Sequence, residues 1–415
     1  MGLLNTPSGE RLHIGFFGMR NAGKSSLVNC LLNQPLCVVS DVKGTTTDPV
    51  KKAMELIPLG PVVIMDTPGL DDEGELGALR VQKTGQILSQ TDLAVVVVDA
   101  ARGLCELDEE LLALLDKRKI PSLIVYNKAD LLQTIPPTQT KKNAVYASTL
   151  TGKGMEEIKK RLGEMGKEIT KNSVIVSDLI EPGDLVLLVT PLDESAPKGR
   201  LILPQQMTIR DILDAHGIVM TCQDTEVEQT LACLKRQPKL VITDSQVFKQ
   251  VSEVVPDTIL LTSFSILMAR YKGDLRELVK GANALSDLKA GDHVLISEGC
   301  THHRQCGDIG TVKMPQWIRN YTKITEKGED GLRFSFTSGT EFPEDLTGYD
   351  LIVHCGGCML NETQMKYRID HAVQNGVPIV NYGIAIAKMH GILKRSVEPF
   401  ADIRILLGDG DENEE

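Results

Sequence analysis

The sequence predicts an α/β protein built from three domains. Short apolar runs alternate with segments of helical spacing along the chain, which is the pattern of buried parallel strands connected by helices. The length of 415 residues favours more than one hydrophobic core, because single domains usually contain about 100–200 residues. Apolar residues make up 42% of the chain and charged residues 24%, so each domain has enough apolar side chains to form a core.

The first domain is predicted to span residues 1–170. Its apolar runs predict a doubly wound, mostly parallel sheet, because each run is short and is followed by a helical pattern. A helix predicted from Met155 to Lys167 closes this domain. The predicted strands are Leu12–Phe17, Val62–Met65, Leu93–Val98, Leu123–Tyr126 and Ala144–Tyr146.

Two further α/β domains are predicted at residues 171–263 and 264–408, followed by an acidic tail at 409–415. The middle domain shows no cluster of catalytic residue types, which favours a role in assembly or in transmitting switch movements. Two strands of the last domain lead directly into turns that contain cysteine, and open α/β sheets bind ligands at the carboxyl ends of their strands. The predicted strands are Leu185–Val189, Ile218–Thr221, Leu240–Thr243 and Ile259–Leu261 in the middle domain, and His293–Ile296 and Tyr349–Val353 in the last domain.

Charge and composition exclude several kinds of partner. The net charge is -11 and Lys and Arg form no long run, so binding to nucleic acid is not expected. No apolar run approaches the roughly 18 residues of a membrane span, and the N-terminus lacks the charged and apolar regions of a signal peptide. Nine cysteines without an export signal favour reduced, metal-bound or buried thiols. We therefore expect a cytoplasmic protein that binds no membrane.

The segment from Gly18 to Ser25 has the G-x-x-x-x-G-K-[ST] spacing of a phosphate-binding loop and lies between a predicted strand and a helix. Its glycines let backbone N–H groups approach phosphate oxygens, while Lys24 supplies positive charge and Ser25 can bind Mg²⁺. A nucleoside triphosphate with Mg²⁺ is therefore the predicted ligand. The predicted nucleotide-binding residues of this loop are Gly18, Asn21, Ala22, Gly23, Lys24, Ser25 and Ser26.

Two tetrapeptides at later strand ends complete the predicted nucleotide site. In residues 66–69, Asp66 can hold Mg²⁺ through water and the Gly69 amide can sense the γ-phosphate. In residues 127–130, the Asp130 carboxylate can accept hydrogen bonds from N1 and N2 of guanine, which adenine does not offer. GTP is therefore favoured over ATP. The other predicted residues of the guanine site are Asn127, Lys128 and Ser148.

Together these motifs resemble the translation-factor-like GTPases, in particular the branch that contains the tRNA-modifying GTPase MnmE and the ribosome-assembly GTPases Era and EngA. Residues 44–48 are similar to the first switch of that branch. The resemblance implies that Thr45 and Thr46 contact the nucleotide, and that Thr46 senses Mg²⁺ and the γ-phosphate. The catalytic residues that it implies are Lys24, Thr46, Asp66 and Gly69.

Asn21 has the position at which potassium-activated members of this branch carry an ion-binding asparagine, although an asparagine there can also serve only to shape the loop. Leu70 stands where Ras-like enzymes have the glutamine that orients the attacking water. We therefore expect a slow GTPase that converts GTP and water to GDP and phosphate and is stimulated by K⁺. In such an enzyme K⁺ replaces the charge of an arginine finger.

A second concentration of reactive side chains lies in the last domain. Residues 300–303 are Cys-Thr-His-His, and residues 354–358 are His-Cys-Gly-Gly-Cys. Two cysteines separated by two glycines can chelate one centre from a single turn, because glycine permits a tight wrap of the backbone. Structural zinc, an iron–sulfur cluster and redox thiols are all compatible with this spacing.

The chain resembles the HydF family of FeFe-hydrogenase maturation GTPases. The resemblance is carried by the Cys-x-His pattern, the distant His-Cys-x-x-Cys pattern and the GTPase motifs that precede them. The resemblance covers nearly the whole chain. It implies a 4Fe–4S cluster held by Cys300, Cys355 and Cys358, with His302 or His354 as a candidate fourth ligand. Cys306 is a further thiol close by in sequence and leaves the identity of the fourth ligand open.

Members of this family receive a diiron precursor assembled by the radical-SAM partners HydE and HydG, and they deliver it to the apo-FeFe-hydrogenase. The resemblance therefore implies a GTPase scaffold that carries a transient diiron precursor and forms a homodimer through its middle domain. Two other functions fit parts of the sequence. One is an RNA-associated GTPase of ribosome assembly, which the N-terminal domain alone resembles, and the other is a GTPase with a structural zinc domain.

Overall fold

The computed structural model describes residues 6–32, 50–67, 85–134, 143–170, 174–191, 201–299, 308–325 and 330–407. The chain divides into two compact units, Met1–Asn172 and Ser173–Glu415. Within the described ranges, no helix has both the length and the apolar character that a membrane crossing requires.

The described part of the first unit contains six strands: β1 (Leu12–Phe17), β2 (Val50–Leu56), β3 (Gly60–Asp66), β4 (Leu93–Asp99), β5 (Ser122–Asn127) and β6 (Ala144–Tyr146). They form one sheet with the order β2-β3-β1-β4-β5-β6. β2 lies at the edge and pairs antiparallel with β3, while the other neighbouring strands are parallel. The carboxyl ends of the five parallel strands therefore meet at one edge of the sheet.

Helices cover both faces of this sheet, and the side chains of β4 show why. Val95 and Val97 join a core that includes residues of α1 and α3, whereas Val96 and Val98 join a second core that includes residues of α2. A strand that is buried on both faces needs apolar residues throughout, which explains the continuous apolar run in the sequence. The helices are α1 (Lys24–Leu32), α2 (Glu106–Lys117) and α3 (Met155–Thr170).

The described part of the second unit contains two four-stranded sheets in which every pair of neighbouring strands is parallel. The strands of the first sheet are β7 (Leu185–Val189), β8 (Ile218–Cys222), β9 (Leu240–Thr243) and β10 (Leu260–Ser263). Those of the second are β11 (His293–Ser297), β12 (Arg333–Thr337), β13 (Leu351–His354) and β14 (Ile379–Asn381). The strand orders are β10-β9-β7-β8 and β12-β11-β13-β14.

One apolar core runs through both sheets of the second unit and includes Leu188 of β7, Ile242 of β9, Leu295 of β11 and Val353 of β13. α7 packs against α4 on one side and against α10 and α11 on the other, so it belongs to the surroundings of both sheets. A π-helical segment, Ile309–Lys313, precedes α9. The helices are α4 (Leu203–Asp214), α5 (Val227–Cys233), α6 (Phe248–Val254), α7 (Phe264–Lys272), α8 (Leu275–Asp287), α9 (Met314–Thr322), α10 (Glu362–Gln374), α11 (Tyr382–Met389), α12 (Leu393–Ser396) and α13 (Ala401–Arg404).

The predicted fold class, α/β with a doubly wound and mostly parallel N-terminal sheet, is confirmed. Sequence reasoning missed β2, β12 and β14 for different reasons. β2 and β12 are edge strands with polar residues between the apolar ones, so neither forms an apolar run. β14 has only three residues, which is too short for a periodic signal. The division of the second unit at residues 263 and 264 stays a prediction.

Candidate functional site

The phosphate-binding loop follows β1 at the point where the sheet changes its direction of winding, since β3 lies on one side of β1 and β4 on the other. Open α/β sheets bind their ligands at such points. Gly18 has a φ of +139°, and a Cβ atom there would lie 2.2 Å from the Val97 carbonyl oxygen. Gly23 has a φ of +90°, and a Cβ atom there would lie 2.2 Å from Asn127 Nδ2. The loop therefore requires glycine at both positions.

Lys24 begins α1 and is only 8% exposed. Its Nζ donates hydrogen bonds to the carbonyl oxygens of Gly18, at 2.9 Å, and Met19, at 3.0 Å. The ammonium group is thereby held against the loop at the N-terminal end of α1. Because backbone N–H groups and the helix dipole also favour an anion at that end, the arrangement concentrates positive potential where phosphates are predicted to bind.

Ser25 and Asp66 supply oxygen atoms that fit a magnesium ion. Asp66 is the last residue of β3 and is 1% exposed, and the Ser25 hydroxyl donates to its Oδ2 at 2.6 Å. Mg²⁺ prefers hard oxygen ligands and is usually held by one or two protein oxygens, water and substrate phosphates. The structure brings these two side chains together, one from the loop and one from β3, and their role in binding Mg²⁺ stays a prediction. Thr67 supports the strand end, since its buried hydroxyl donates to the Phe16 carbonyl oxygen at 2.6 Å.

Asn127 connects the phosphate-binding loop to the predicted guanine site. It is the last residue of β5 and is fully buried. Its Nδ2 donates to the Ala22 carbonyl oxygen at 3.0 Å, and its Oδ1 accepts from the Thr149 amide at 3.3 Å. The neighbouring Ser148 hydroxyl donates to the Asp130 carboxylate. The structure therefore joins Ala22 to Asn127 and Asp130 to Ser148 by hydrogen bonds, and Thr149, the chain neighbour of Ser148, links the two pairs.

Asp99 is a residue of this site that sequence reasoning missed. It ends β4 beside Asn127 in the parallel register, and its Oδ2 accepts from Lys128 Nζ at 2.7 Å. Burial alone raises the pKa of the Asp99 carboxyl, but the Lys128 ammonium and the Ala101 amide outweigh burial and hold the pKa below its ordinary value. The pair fixes Lys128, whose backbone is left-handed with a φ of +61°. The signal that could have identified Asp99 from the sequence is an acidic residue at the end of β4, the strand next to β5.

Asn21 has a left-handed backbone with a φ of +59° and an exposed side chain. Asparagine tolerates this conformation better than most residues other than glycine, so Asn21 has a conformational role in the loop whatever else it does. Ser26 is half-buried in the first turn of α1. Several predicted residues lie outside the described part of the chain: Thr45, Thr46, Gly69, Leu70, Cys300, His302 and Cys306.

The cysteine turn begins directly after β13, beside the end of β11. Ser297 and His354 are register partners at the ends of these strands, and the Cys355 amide donates to the Ser297 carbonyl oxygen at 2.9 Å. Cys355 Sγ accepts a hydrogen bond from the Gly299 amide at 3.0 Å. Gly299 is adjacent in sequence to Cys300, so the segment that carries the third predicted ligand starts in contact with Cys355.

The turn between the two cysteines has the properties of a chelating loop. Gly357 has a φ of +61°, which permits the tight wrap, and its amide donates to Cys355 Sγ at 3.4 Å. The Cys358 side chain is exposed. Amide donors to sulfur are among the features that tune iron–sulfur sites, and they also stabilise any bound thiolate. Within the described residues, no group of three or more His, Cys, Asp or Glu side chains is arranged to hold a metal ion.

His354 is fully buried and both of its ring nitrogens have partners. Nδ1 lies 2.7 Å from the Cys355 carbonyl oxygen, which can only accept, and Nε2 lies 2.8 Å from Arg368 Nη1, which can only donate. The proton of this histidine is therefore on Nδ1. Ligation of a metal by His354 would require one of these bonds to break, so the geometry favours a role in holding the turn.

Two buried cations beside the turn were missed by sequence reasoning. Arg368 of α10 is 1% exposed, and Lys272 of α7 is 3% exposed. Lys272 Nζ donates to the carbonyl oxygens of Leu360, at 3.1 Å, and Cys358, at 3.4 Å. Both residues lie in helices, and the sequence pattern of these helices predicts that their basic side chains lie on the exposed face. No local signal in the sequence distinguishes them from surface residues.

Family models match most of the chain. Residues 13–128 match the model described as 50S ribosome-binding GTPase. Residues 175–273 match the hydrogen maturase F dimerization domain, and residues 276–399 match the hydrogen maturase F tetramerization domain. The two matches after the GTPase region belong to the same family and follow each other directly.

Curated relatives are similar over a shorter region. The tRNA modification GTPase MnmE of Carboxydothermus hydrogenoformans is 44% identical over 117 residues, which is 28% of this chain and 25% of that protein. GTPase Der of Wolinella succinogenes is 37% identical over 125 residues, or 29% of this chain and 26% of that protein. The chain thus spans about a quarter of the length of these two relatives.

Solved structures give a weaker likeness. A crystal structure of Era in complex with MgGDPNP and a segment of 16S ribosomal RNA covers 51% of this chain and 91% of its own, at 19% identity and a TM-score of 0.33. A probable GTP-binding protein EngB covers 38% of this chain and 99% of its own, at 23% identity and a TM-score of 0.30. Likeness at this level supports no argument about function.

The guanine site makes a prediction about nucleotide choice. In Asp130→Asn, one of the two acceptors for guanine N1 and N2 becomes a donor, so we expect GTP affinity to fall by roughly 10- to 100-fold. Xanthine offers a carbonyl oxygen where guanine has its amino group, and we expect xanthosine triphosphate to bind the variant better than GTP. Calorimetric titration with both nucleotides measures this, with Asp116→Asn, an exposed carboxylate in α2, as the matched control. Unchanged preference for GTP in Asp130→Asn would contradict the assignment.

Proposed function

Because the chain belongs to the hydrogen maturase F family, we propose that it is a GTP-hydrolysing carrier that receives the diiron precursor of the FeFe-hydrogenase active site and delivers it to the apo-hydrogenase. The family resemblance that the motifs indicated is confirmed by these matches. The observation that carries the proposal is the contact of Cys355 with Gly299, the residue before Cys300 in the sequence, at the paired ends of β13 and β11 in a chain that also has the motifs of a nucleotide site.

GTP hydrolysis is supported by the geometry around the phosphate-binding loop. We propose that Lys24 contacts the phosphates, that Ser25 and Asp66 hold Mg²⁺, and that Asp130 recognises guanine, and the hydrogen bonds of these side chains support this. We propose that intrinsic hydrolysis is slow, because Leu70 has no group that can orient the attacking water. GTP and Mg²⁺ are the proposed ligands of this unit.

The cysteine site is proposed to hold a 4Fe–4S cluster through Cys300, Cys355 and Cys358. When bound, such a cluster supplies an iron with an exchangeable position, since three protein thiolates leave one coordination site open. Gly299 and Gly357 direct amide donors at the Cys355 sulfur, and the exposed Cys358 completes the turn. His302 stays a candidate fourth ligand, while the hydrogen bonds of His354 favour a positioning role.

HydE and HydG are the proposed source of the precursor, and apo-FeFe-hydrogenase is its proposed destination. The sequence contains no Cys-x-x-x-Cys-x-x-Cys motif, which the radical-SAM chemistry of precursor synthesis would require. The chain is therefore proposed to carry the precursor, while other proteins make it.

A transfer experiment tests the carrier role. The chain is incubated anaerobically with HydE, HydG and their substrates, re-isolated, and mixed with apo-hydrogenase, and hydrogen evolution is measured. We expect the wild type to activate the hydrogenase and Cys355→Ser and Cys358→Ser to lose almost all activation, because each removes a thiolate ligand. Cys233→Ser removes a different exposed thiol and should activate like the wild type.

Two outcomes of that experiment would contradict the proposal. One is a wild-type chain that binds GTP but never activates the hydrogenase after re-isolation. The other is full activation by the Cys355→Ser and Cys358→Ser chains. Each result is interpretable because GTP binding reports folding of the first unit and circular dichroism reports folding of the whole chain.

Potassium stimulation is proposed from Asn21, whose amide is exposed on the loop. Because its φ is +59°, Asn21→Gly removes the amide oxygen while it keeps a backbone that glycine readily adopts. We expect the wild type to hydrolyse GTP faster in K⁺ than in Na⁺ at equal ionic strength, and Asn21→Gly to lose this difference with little change in GTP affinity. Retention of K⁺ stimulation by Asn21→Gly would reduce Asn21 to a residue that shapes the loop.

A homodimer is proposed to form along β8, one of the two edge strands of its sheet within the part of the chain that the structure describes. Ile218 is 54% exposed and Met220 is 36% exposed, and both lie on one face of β8 because side chains alternate along a strand. The outer edge of β8 also has backbone groups that can pair with another strand. The match of residues 175–273 to a dimerization domain favours a second copy of this chain as the partner.

Substitutions on β8 test this interface. We expect the double variant Ile218→Lys, Met220→Lys to form a smaller oligomer than the wild type, because two charges per chain would be buried at the interface. The wild-type mass should be a multiple of 45.4 kDa and the variant mass a smaller multiple, as measured by light scattering. Leu131→Lys, at a residue that is 64% exposed in the first unit, is the matched control. An unchanged mass for the double variant would exclude β8 as the interface.

A further inference from the structure

Arg368 is a buried cation whose hydrogen bonds go only to uncharged groups. It donates through Nη2 to the Gly339 carbonyl oxygen at 2.8 Å, and through Nη1 to His354 Nε2 at 2.8 Å and to Ser297 Oγ at 3.3 Å. Its Cζ lies 5.0 Å from the centre of the Phe342 ring. Among the described residues no carboxylate forms an ion pair with it. Burial of an uncompensated charge costs several kcal/mol, so a counter-charge close to this guanidinium would relieve a large penalty.

The contacts of Arg368 place it at the ends of three neighbouring strands. Ser297 ends β11 and His354 ends β13, and these two residues are register partners. Gly339 follows β12 on the other side of β11. Both strand ends that Arg368 contacts through Nη1 lead into the cysteine segments. The guanidinium therefore bridges the ends of β11 and β13 with one rigid group.

The sulfur of Cys355 is the group that can compensate the positive charge of Arg368. Cys355 follows His354 directly, and His354 Nε2 lies 2.8 Å from Arg368 Nη1. A guanidinium keeps its proton in proteins, so Arg368 is charged at neutral pH. A thiol supplies negative charge only as a thiolate, and metal binding is what keeps a cysteine deprotonated.

We propose that Arg368 is the counter-charge of the anionic cluster held by the cysteine segments, and that it raises the reduction potential of this cluster. The inference rests on the proposed function, since it requires a bound 4Fe–4S cluster. Three thiolates outweigh the positive charge of the cluster core, so the assembled centre is an anion. Reduction adds one electron to that anion, and a cation buried nearby stabilises the reduced state more than the oxidised state.

Three variants separate charge from geometry. Arg368→Met removes the charge with a side chain that suits a buried site, Arg368→Lys keeps the charge, and Lys366→Met removes an exposed charge from the same helix. Lys366 is the matched control, because it pairs with Glu362 on the surface and solvent screens it. The readout is the midpoint potential of the reconstituted cluster, measured by redox titration with the electron paramagnetic resonance signal of the reduced state.

We expect Arg368→Met to lower the ratio of reduced to oxidised cluster at a fixed potential at least tenfold, which for a one-electron couple corresponds to about 59 mV. Arg368→Lys should stay closer to the wild type than Arg368→Met, and Lys366→Met should equal the wild type. Loss of the cluster from Arg368→Met alone, with Arg368→Lys still loaded, would also support the proposal. Circular dichroism and GTP binding of each metal-free variant confirm that it is folded.

Two results would overturn the inference while the proposed function stands. The first is equal midpoint potentials for the wild type and Arg368→Met. The second is loss of the cluster from both folded Arg368 variants, which would show that the forked geometry matters and the charge does not. A folded wild-type chain that accepts no iron–sulfur cluster would instead refute the proposed function.

Discussion

The parallel pairing of β11 with β13 is the constraint on which the cysteine site depends. Its register sets Ser297 beside His354, and each residue is the last of its strand. A shift of one residue would turn every side chain of one strand to the opposite face, so Arg368 would lose Ser297 or His354 as a partner. The Gly299 amide would also lose its position against Cys355. Leu295 and Ile296 of β11 and Ile352 and Val353 of β13 are completely buried, so apolar packing on both faces of the sheet holds these two strands together.

The nucleotide site of the first unit also lies at the ends of parallel strands. The parallel strands β1, β3, β4 and β5 end at one edge of the sheet, and each contributes to the site. The phosphate-binding loop follows β1, and the other three strands end in Asp66, Asp99 and Asn127. Hydrogen bonds then join these ends, above all the one from Asn127 to Ala22. In both units, the predicted site residues that the structure describes are therefore brought together at strand ends and do not come from any one segment of the sequence.

Sequence reasoning predicted the parts of this arrangement that are local. The phosphate-binding loop needs glycine at fixed positions, and Gly18 and Gly23 show why, so its spacing was a strong signal. The buried strands were also predictable, because a strand covered on both faces must be apolar throughout. Asp99, Lys272 and Arg368 were missed because their importance arises from contacts with residues far away in sequence. An arginine on a helix is usually on the surface, and only the packing of α10 over the ends of β11 and β13 shows that Arg368 is buried.

We propose that these strand ends form an iron–sulfur site and not a zinc site. The iron, acid-labile sulfide and zinc content of the full chain, purified and reconstituted without oxygen, distinguishes the two. We expect roughly four iron and four sulfide ions per chain, with little zinc. Stoichiometric zinc without iron or sulfide would contradict it.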